Sequence, residues 1–295
     1  MKLVTFRYQD SERIGAIHPD GFIVDFTGAN PALPATMQLL IEAGDEAITT
    51  ARKWVSQAQQ SSRRALTGVQ FLAPLPRPRR LRDGNLFLEH LEAYFKKVGK
   101  PMSEQFRRQT IYYNADHTHV FGPDAEIPWP KDSNWIDYEL EWACVIGKPG
   151  SAIKREDART HVFGYTIFND WSARDLQAEF METGAGPGAG KDFANSIGPN
   201  ITTSDEIDYP YSLKMTAHIN GELWSSGSTA DMFHKFEDAI HWFSRGAPIV
   251  AGEIIGSGTV LNGCGFELDR PLSVGDEVNL QVEGIGSLKN RVIRL

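Results

Sequence analysis

The clearest alternation of apolar and polar positions falls at residues 139–146. There Leu140, Trp142, Cys144 and Ile146 interleave with Glu139, Glu141, Ala143 and Val145. A period of two predicts a β-strand and puts Glu139 and Glu141 on the same face. Shorter β-type runs at 3–8, 14–18 and 22–25 are split by the turn signals Asp10-Ser11 and Pro19-Asp20-Gly21. Helical spacing follows. Thr36 is placed to cap a short helix over 37–43 that Gly44 ends, and Asp45 to cap a longer one. In the latter, Ile48, Ala51, Trp54 and Val55 share one face. Asp83 reads as the N-cap of a helix crowded with Leu86, Leu88, His90, Leu91, Tyr94 and Phe95, which Gly99 ends. On that helix His90 would lie about two turns beyond Asp83, on the same side. Towards the C-terminus, Asn220-Gly221 is a hairpin signal, and Asp231 precedes a helix through Phe236, Ile240 and Phe243 that ends at Gly246. The last twenty or so residues alternate as a two-strand closure.

Runs of strands with few helices between them predict an α+β fold rather than a parallel α/β sheet. The pattern divides the chain into a small N-terminal α+β unit at 1–73, a connector at 74–80 and a large domain at 81–295. In the connector Pro74, Pro76 and Pro78 alternate, which favours an extended, stiff backbone. Arg77, Arg79, Arg80 and Arg82 add positive charge there, read either as a solvated linker or as a gate for an anionic substrate.

Composition narrows the function classes. A net charge of −8 with no extended basic face argues against nucleic acid as partner. No run approaches a membrane span and the N-terminal residues lack an apolar signal core, so a cytoplasmic location without membrane association is expected. Cys144 and Cys264 are far apart with no metal-knuckle spacing, consistent with a reducing compartment.

Two carboxylates side by side at the head of an apolar strand are costly unless a cation or a proton compensates them. A hard divalent cation held by oxygen would do so, with Asp170 as a third ligand, whereas an edge strand with a solvated acidic face is the plain alternative. His117 and His119 fall in an expected strand as His-x-His, read as two exposed residues rather than a metal pair. The glycine-rich stretch ending at Lys191 is no phosphate loop, because Ala185 and Asp192 stand where Gly and Ser or Thr are required. It reads as an active-site loop that delivers Lys191.

Several motifs occur in a fixed order: R-D-(x)6-H, D-Y-E-x-E, G-Y-T-I-F-N-D-W-S-A-R-D-x-Q, G-K-D-F, A-G-E-I-I-G-S-G-T-V and V-E-G-I-G. From about residue 80 to the C-terminus the chain resembles the fumarylacetoacetate hydrolase family, in its fumarylacetoacetase-like branch. The resemblance implies a mixed β-sheet roll whose mouth holds a divalent cation, Mg²⁺ first, with Mn²⁺ or Ca²⁺ as alternatives. It implies metal carboxylates at Glu139, Glu141 and Asp170, with Asp83 as a fourth acidic ligand. Arg174, Gln177, Thr259 and, by a looser match, Tyr113 correspond to substrate-binding positions. His90 and Glu267 correspond to a catalytic dyad, and Lys191 to a cation that steadies developing charge.

The activity so implied is hydrolysis of a C–C bond in a β-diketo acid of the fumarylacetoacetate or acylpyruvate type, in a homodimer. Decarboxylation, isomerisation, hydration or dehydration of a 2-oxo acid at the same metal site is the alternative. A metal-stabilised binding protein without turnover is a third reading. Many acylpyruvate-cleaving members carry P-G-D and G-T-P where this chain has Ala251-Gly252-Glu253 and Gly258-Thr259-Val260. That moves the expectation away from the simplest acylpyruvases.

Overall fold

The computed structural model describes residues 1–29 and 31–294. The chain opens with an antiparallel meander of β1 (Lys2–Tyr8), β2 (Ser11–Ile17) and β3 (Phe22–Asp25). Helix α1 (Met37–Glu42) starts where expected, because the Thr36 hydroxyl accepts the Leu39 N–H at 3.3 Å. Helix α2 (Gly44–Gln57) begins one residue before Asp45, so that carboxylate lies in the first turn rather than at the cap. It still sits at the positive end of the helix dipole. Ala51 and Trp54 are buried, with Ile48 and Val55 packed against the same apolar cluster.

Strands β4 (Arg63–Ala65), β5 (Gln70–Phe71), β6 (Arg80–Gly84), β7 (Tyr112–Ala115), β8 (Val120–Phe121), β9 (Glu126–Pro128), β10 (Ile136–Asp137) and β11 (Glu141–Ile146) follow. Then come β12 (Val162–Asp170), β13 (Ser172–Ala173), β14 (Asn195–Thr203), β15 (Lys214–Ile219), β16 (Glu222–Ser228), β17 (Glu253–Gly256), β18 (Glu277–Val282) and β19 (Gly286–Ile293). The large sheet runs β4-β3-β2-β1-β14-β12-β11-β17-β6-β7, and a second runs β16-β15-β18-β19-β9. The sheet crosses the boundary expected at 73–74, since β1 pairs with β14. Mixed sheets with a few helices agree with the α+β expectation.

The alternation in β11 works on both faces. Trp142, Cys144 and Ile146 join the cluster under the second sheet and helix α6 (Phe236–Gly246). Ala143 and Val145 join the cluster under α1 and α2. β11 pairs with β12 on one side and β17 on the other, so it is a central strand. The reading of a solvated acidic edge is therefore overturned. Full burial of a side chain the size of Trp142 contributes about 1.5–3 kcal/mol, which anchors the start of β11.

Four local expectations change. Asp83 lies within β6, and helix α3 (Leu88–Lys97) starts from Phe87, so Asp83 caps nothing. Its relation to His90 comes from packing, not from two turns of one helix. Asp231 sits in a 3₁₀ turn; α6 is capped by Asp238, which accepts the Lys235 N–H at 2.8 Å. His117 and His119 occupy an exposed bend rather than a strand. The connector arginines are neither free nor at a gate. Arg77 pairs with Glu12 and Arg79 with Glu42, each at 2.7 Å, while Arg82 is buried against Glu253. Other expectations hold: Asn220 and Gly221 turn between β15 and β16 with φ of 51° and 85°, as a type I′ hairpin requires.

Candidate active site

At one end of four adjacent inner strands of the large sheet β6, β12 and β17 end and β11 begins, which the register enforces: Asp83 is opposite Gly256, and Glu141 opposite Phe168. Three of these segments thus deliver carboxylates to one place, and the residues after β17 deliver the Gly258 N–H. Ligand oxygens of Asp83, Glu141 and Asp170, all buried, lie within 4.8 Å of one another. The Gly258 N–H donates to Asp83 Oδ1 and to Glu141 Oε2, both at 3.1 Å. Gly258 has a φ of 74°, and a Cβ there would meet Gly84 O at 2.3 Å, so only glycine fits.

The electrostatics show what this cluster lacks. Burial, reinforced by the Asp170 charge, pushes the Asp83 carboxyl up to about 8. Burial and the neighbouring Asp83, Glu139 and Asp170 carboxylates push Glu141 well above the ordinary range. Asp170 is pushed up to about 6 by burial, with Lys191 pulling against it. Asp170 Oδ1 is buried with no hydrogen-bond partner among the described residues. Three buried carboxyls whose pKa values are all raised, one of them with an oxygen that no donor faces, fit a hard divalent cation.

Glu139 stands differently. Lys191 Nζ reaches its Oε2 at 2.7 Å and Arg174 Nη1 its Oε1 at 2.9 Å. Burial raises its pKa, but those two cations outweigh it and hold it down to about 2. Lys191 also touches Asp170 Oδ2 at 2.6 Å, bridging the two acids. The structure therefore groups Asp83 with Glu141 and Asp170, and it gives Glu139 to the cations. Lys191 arrives from the glycine-rich loop after helix α5 (Arg174–Glu182), where a Cβ on Gly190 would meet the Gln177 N at 2.4 Å.

The remaining expected positions converge here too. Tyr113 OH donates to Asp170 Oδ2 at 2.5 Å, and Thr259 Oγ1 donates to Glu141 Oε1 at 3.2 Å. Gln177 Oε1 accepts from Arg174 Nη1 at 3.0 Å. His90 on α3 meets Glu267 on α7 (Gly265–Leu268), with Nδ1 and Oε2 at 2.8 Å. Glu267 is nearly fully buried, and His90 Nε2 has no protein partner among the described residues. A cavity of about 320 Å³ joins these groups, lined by Asp83, His90, Glu139, Arg174, Lys191 and Thr259 at its inner end.

Asp137 is the functional residue that the sequence reading missed. It accepts from Arg174 Nε at 2.8 Å and from the N–H groups of Gly265 and Phe266 at 2.8 and 2.9 Å. One carboxylate thus aims the arginine and seats the short helix that carries Glu267. The signal was present, because Asp137, Glu139 and Glu141 continue the same period of two.

The fumarylacetoacetate (FAA) hydrolase C-terminal family matches residues 81–293. Among curated proteins, the mitochondrial oxaloacetate tautomerase Fahd2a of Rattus norvegicus is 34% identical, covering 92% of this chain and 84% of that one. The oxaloacetate tautomerase YisK of Bacillus subtilis is 30% identical across 99% of this chain and 100% of its own. Among solved structures, a fumarylacetoacetate hydrolase from Exiguobacterium antarcticum superposes with a TM-score of 0.81 at 29% identity, covering both chains completely. No helix among the described residues is long and apolar enough to cross a membrane.

Proposed function

The chain belongs to the fumarylacetoacetate hydrolase family, and from that premise we propose that it interconverts the keto and enol forms of a 2-oxo carboxylic acid. Tautomerisation was the alternative to C–C hydrolysis, and the relatives' names favour it. The observation that carries it is the His90–Glu267 pair, hydrogen-bonded at 2.8 Å beside a cavity whose inner end holds the buried carboxylates together with Arg174 and Lys191.

A divalent cation held by Asp83, Glu141 and Asp170, with Glu139 beside them, would supply Lewis-acid polarisation of the 2-oxo group. Glu267 holds the His90 Nδ1–H and so leaves Nε2 as the basic nitrogen. Nε2 takes a proton from C3 of the keto acid, and the resulting imidazolium delivers it to the oxygen that becomes the enol hydroxyl. In the reverse direction Nε2 takes the hydroxyl proton and the imidazolium places it on C3, so that one proton moves between carbon and oxygen. Arg174 and Lys191 line the cavity and would supply positive charge to a substrate carboxylate and an enolate oxygen. Asp137 keeps the Arg174 guanidinium fixed in that orientation. Tautomerisation needs no water, whereas hydrolysis needs one placed between His90 and a carbonyl carbon.

Protein loaded with Mg²⁺ or Mn²⁺ should speed the loss of enol absorbance of at least one freshly dissolved enol-form 2-oxo acid, with oxaloacetate and phenylpyruvate compared, without releasing CO₂ or splitting the carbon chain. His90→Ala should lower kcat by roughly 10² to 10⁴, the usual range for a lost general base, with metal content unchanged. Full activity in His90→Ala would overturn the role of the dyad. Two carbon fragments among the products would return the reading to C–C hydrolysis.

A further inference from the structure

The two ends of the cavity differ in chemistry. Of the ionisable lining residues, Asp83, Glu139, Arg174 and Lys191 are buried and form the inner end, and His90 is half-buried. The outer wall comes from α3, α4 (Gln105–Arg108) and α5, and it presents Leu91, Tyr94, Phe95, Phe106 and Met181, with Ile111 beside them. Phe95 and Phe106 pack at 5.7 Å between ring centroids, and Tyr94 lies 5.7 Å from Phe266, so the wall is braced. The nearby cations are spent elsewhere. Lys97 binds Phe266 O and Asp269, and Arg107 pairs with Glu92. Among the described residues, no charged side chain other than Asp83, Glu139, Arg174 and Lys191, and no ionisable one besides these but His90 and the tyrosines, lines the cavity.

We propose that this outer half is a subsite for an uncharged aryl or branched apolar arm, so that the substrate is a 2-oxo acid with a single carboxylate rather than a dicarboxylate. The proposal rests on the 2-oxo acid reading for the head group only. The inner end has cations for one carboxylate and one oxo oxygen. A second carboxylate pointing outward would lose water against rings and a thioether with no donor in exchange. An aryl arm gains in the same place from apolar burial and edge or face contact with three aromatic rings.

The test uses two non-enolisable probes on the Mn²⁺-loaded protein. N-phenyloxamate carries the head group with an aryl arm, and N-oxalylglycine carries it with a second carboxylate. Calorimetry should give N-phenyloxamate the lower Kd by at least about tenfold. Met181→Arg places a cation on the wall at a position 44% exposed, where the fold tolerates it. It should shrink that preference by about fivefold or more. Equal affinities, the reverse order or binding of neither probe overturns the subsite. If the order holds but neither oxaloacetate nor the enol of phenylpyruvate is tautomerised, the subsite stands and the tautomerase reading falls.

Discussion

Neighbouring residues on β6 face two unlike charge networks. Arg82 is buried against Glu253, and its guanidinium lies 4.9 Å from the ring centroids of both Tyr112 and Phe243. Every charge there has a counter-charge and a packed apolar wall. Asp83, one residue on, meets Glu141 and Asp170, and burial without enough positive charge pushes its carboxyl up to about 8. A charge network that is complete within the chain is structural. One that is short of positive charge is built to receive something, and strand alternation lets both be made by adjacent residues.

The largest effect should come from breaking the complete network. Glu253→Ala leaves Arg82 buried and unpaired, and should cost about 3–5 kcal/mol of stability, read as a lower urea midpoint. If the loss is under 1 kcal/mol, the contrast between the two networks is wrong.

Glu141→Gln tests the other side and should have the opposite sign without metal. Removing a carboxyl whose charge is opposed by burial and by its acidic neighbours should raise the stability of the metal-free protein at pH 8, read as a higher urea midpoint. It should also abolish Mn²⁺ binding, measured by elemental analysis after gel filtration. A destabilised Gln variant that still binds Mn²⁺ would sink the cation site.

The smallest effect is a pH dependence. A carboxyl raised in the folded state binds its proton more tightly there than in the unfolded chain. Its contribution is therefore full below the ordinary carboxylate pKa and is lost as pH rises through the folded value. With Asp83 pushed to about 8 and Asp170 to about 6, metal-free stability should fall between pH 4 and 8. Mn²⁺ displaces those protons, so its stabilisation should be greater at pH 8 than at pH 5, by on the order of 1 kcal/mol. Thermal melts at both pH values, with and without Mn²⁺, would read it; equal shifts would contradict proton–metal competition.

Much of the site was legible because short spacings carry it. Glu139 and Glu141 were visible as a same-face pair, the N-D-W-S-A-R-D-x-Q block marked Asp170, Arg174 and Gln177, and the glycine-rich stretch read as the loop that delivers Lys191. Asp137 was passed over because its work is done across space, on Arg174 and on the backbone of residues 265 and 266. Asp83 was misassigned as a helix cap, since Asp followed by Gly and an apolar run is written alike before a helix and at a strand end.

By itself the sequence determined which local elements form and which residues carry chemistry, because alternation, capping and turn residues act over a few positions. Only the tertiary structure decided that β11 is central rather than an edge, that Lys191 and Arg174 claim Glu139, and that Asp83 reaches Glu141 and Asp170 from a strand rather than from a helix cap. Those outcomes depend on pairings between segments far apart in the chain, joining residue 83 to residue 256 and residue 90 to residue 267. Such pairings are set by sheet register and by burial from both faces, which no short-range pattern encodes.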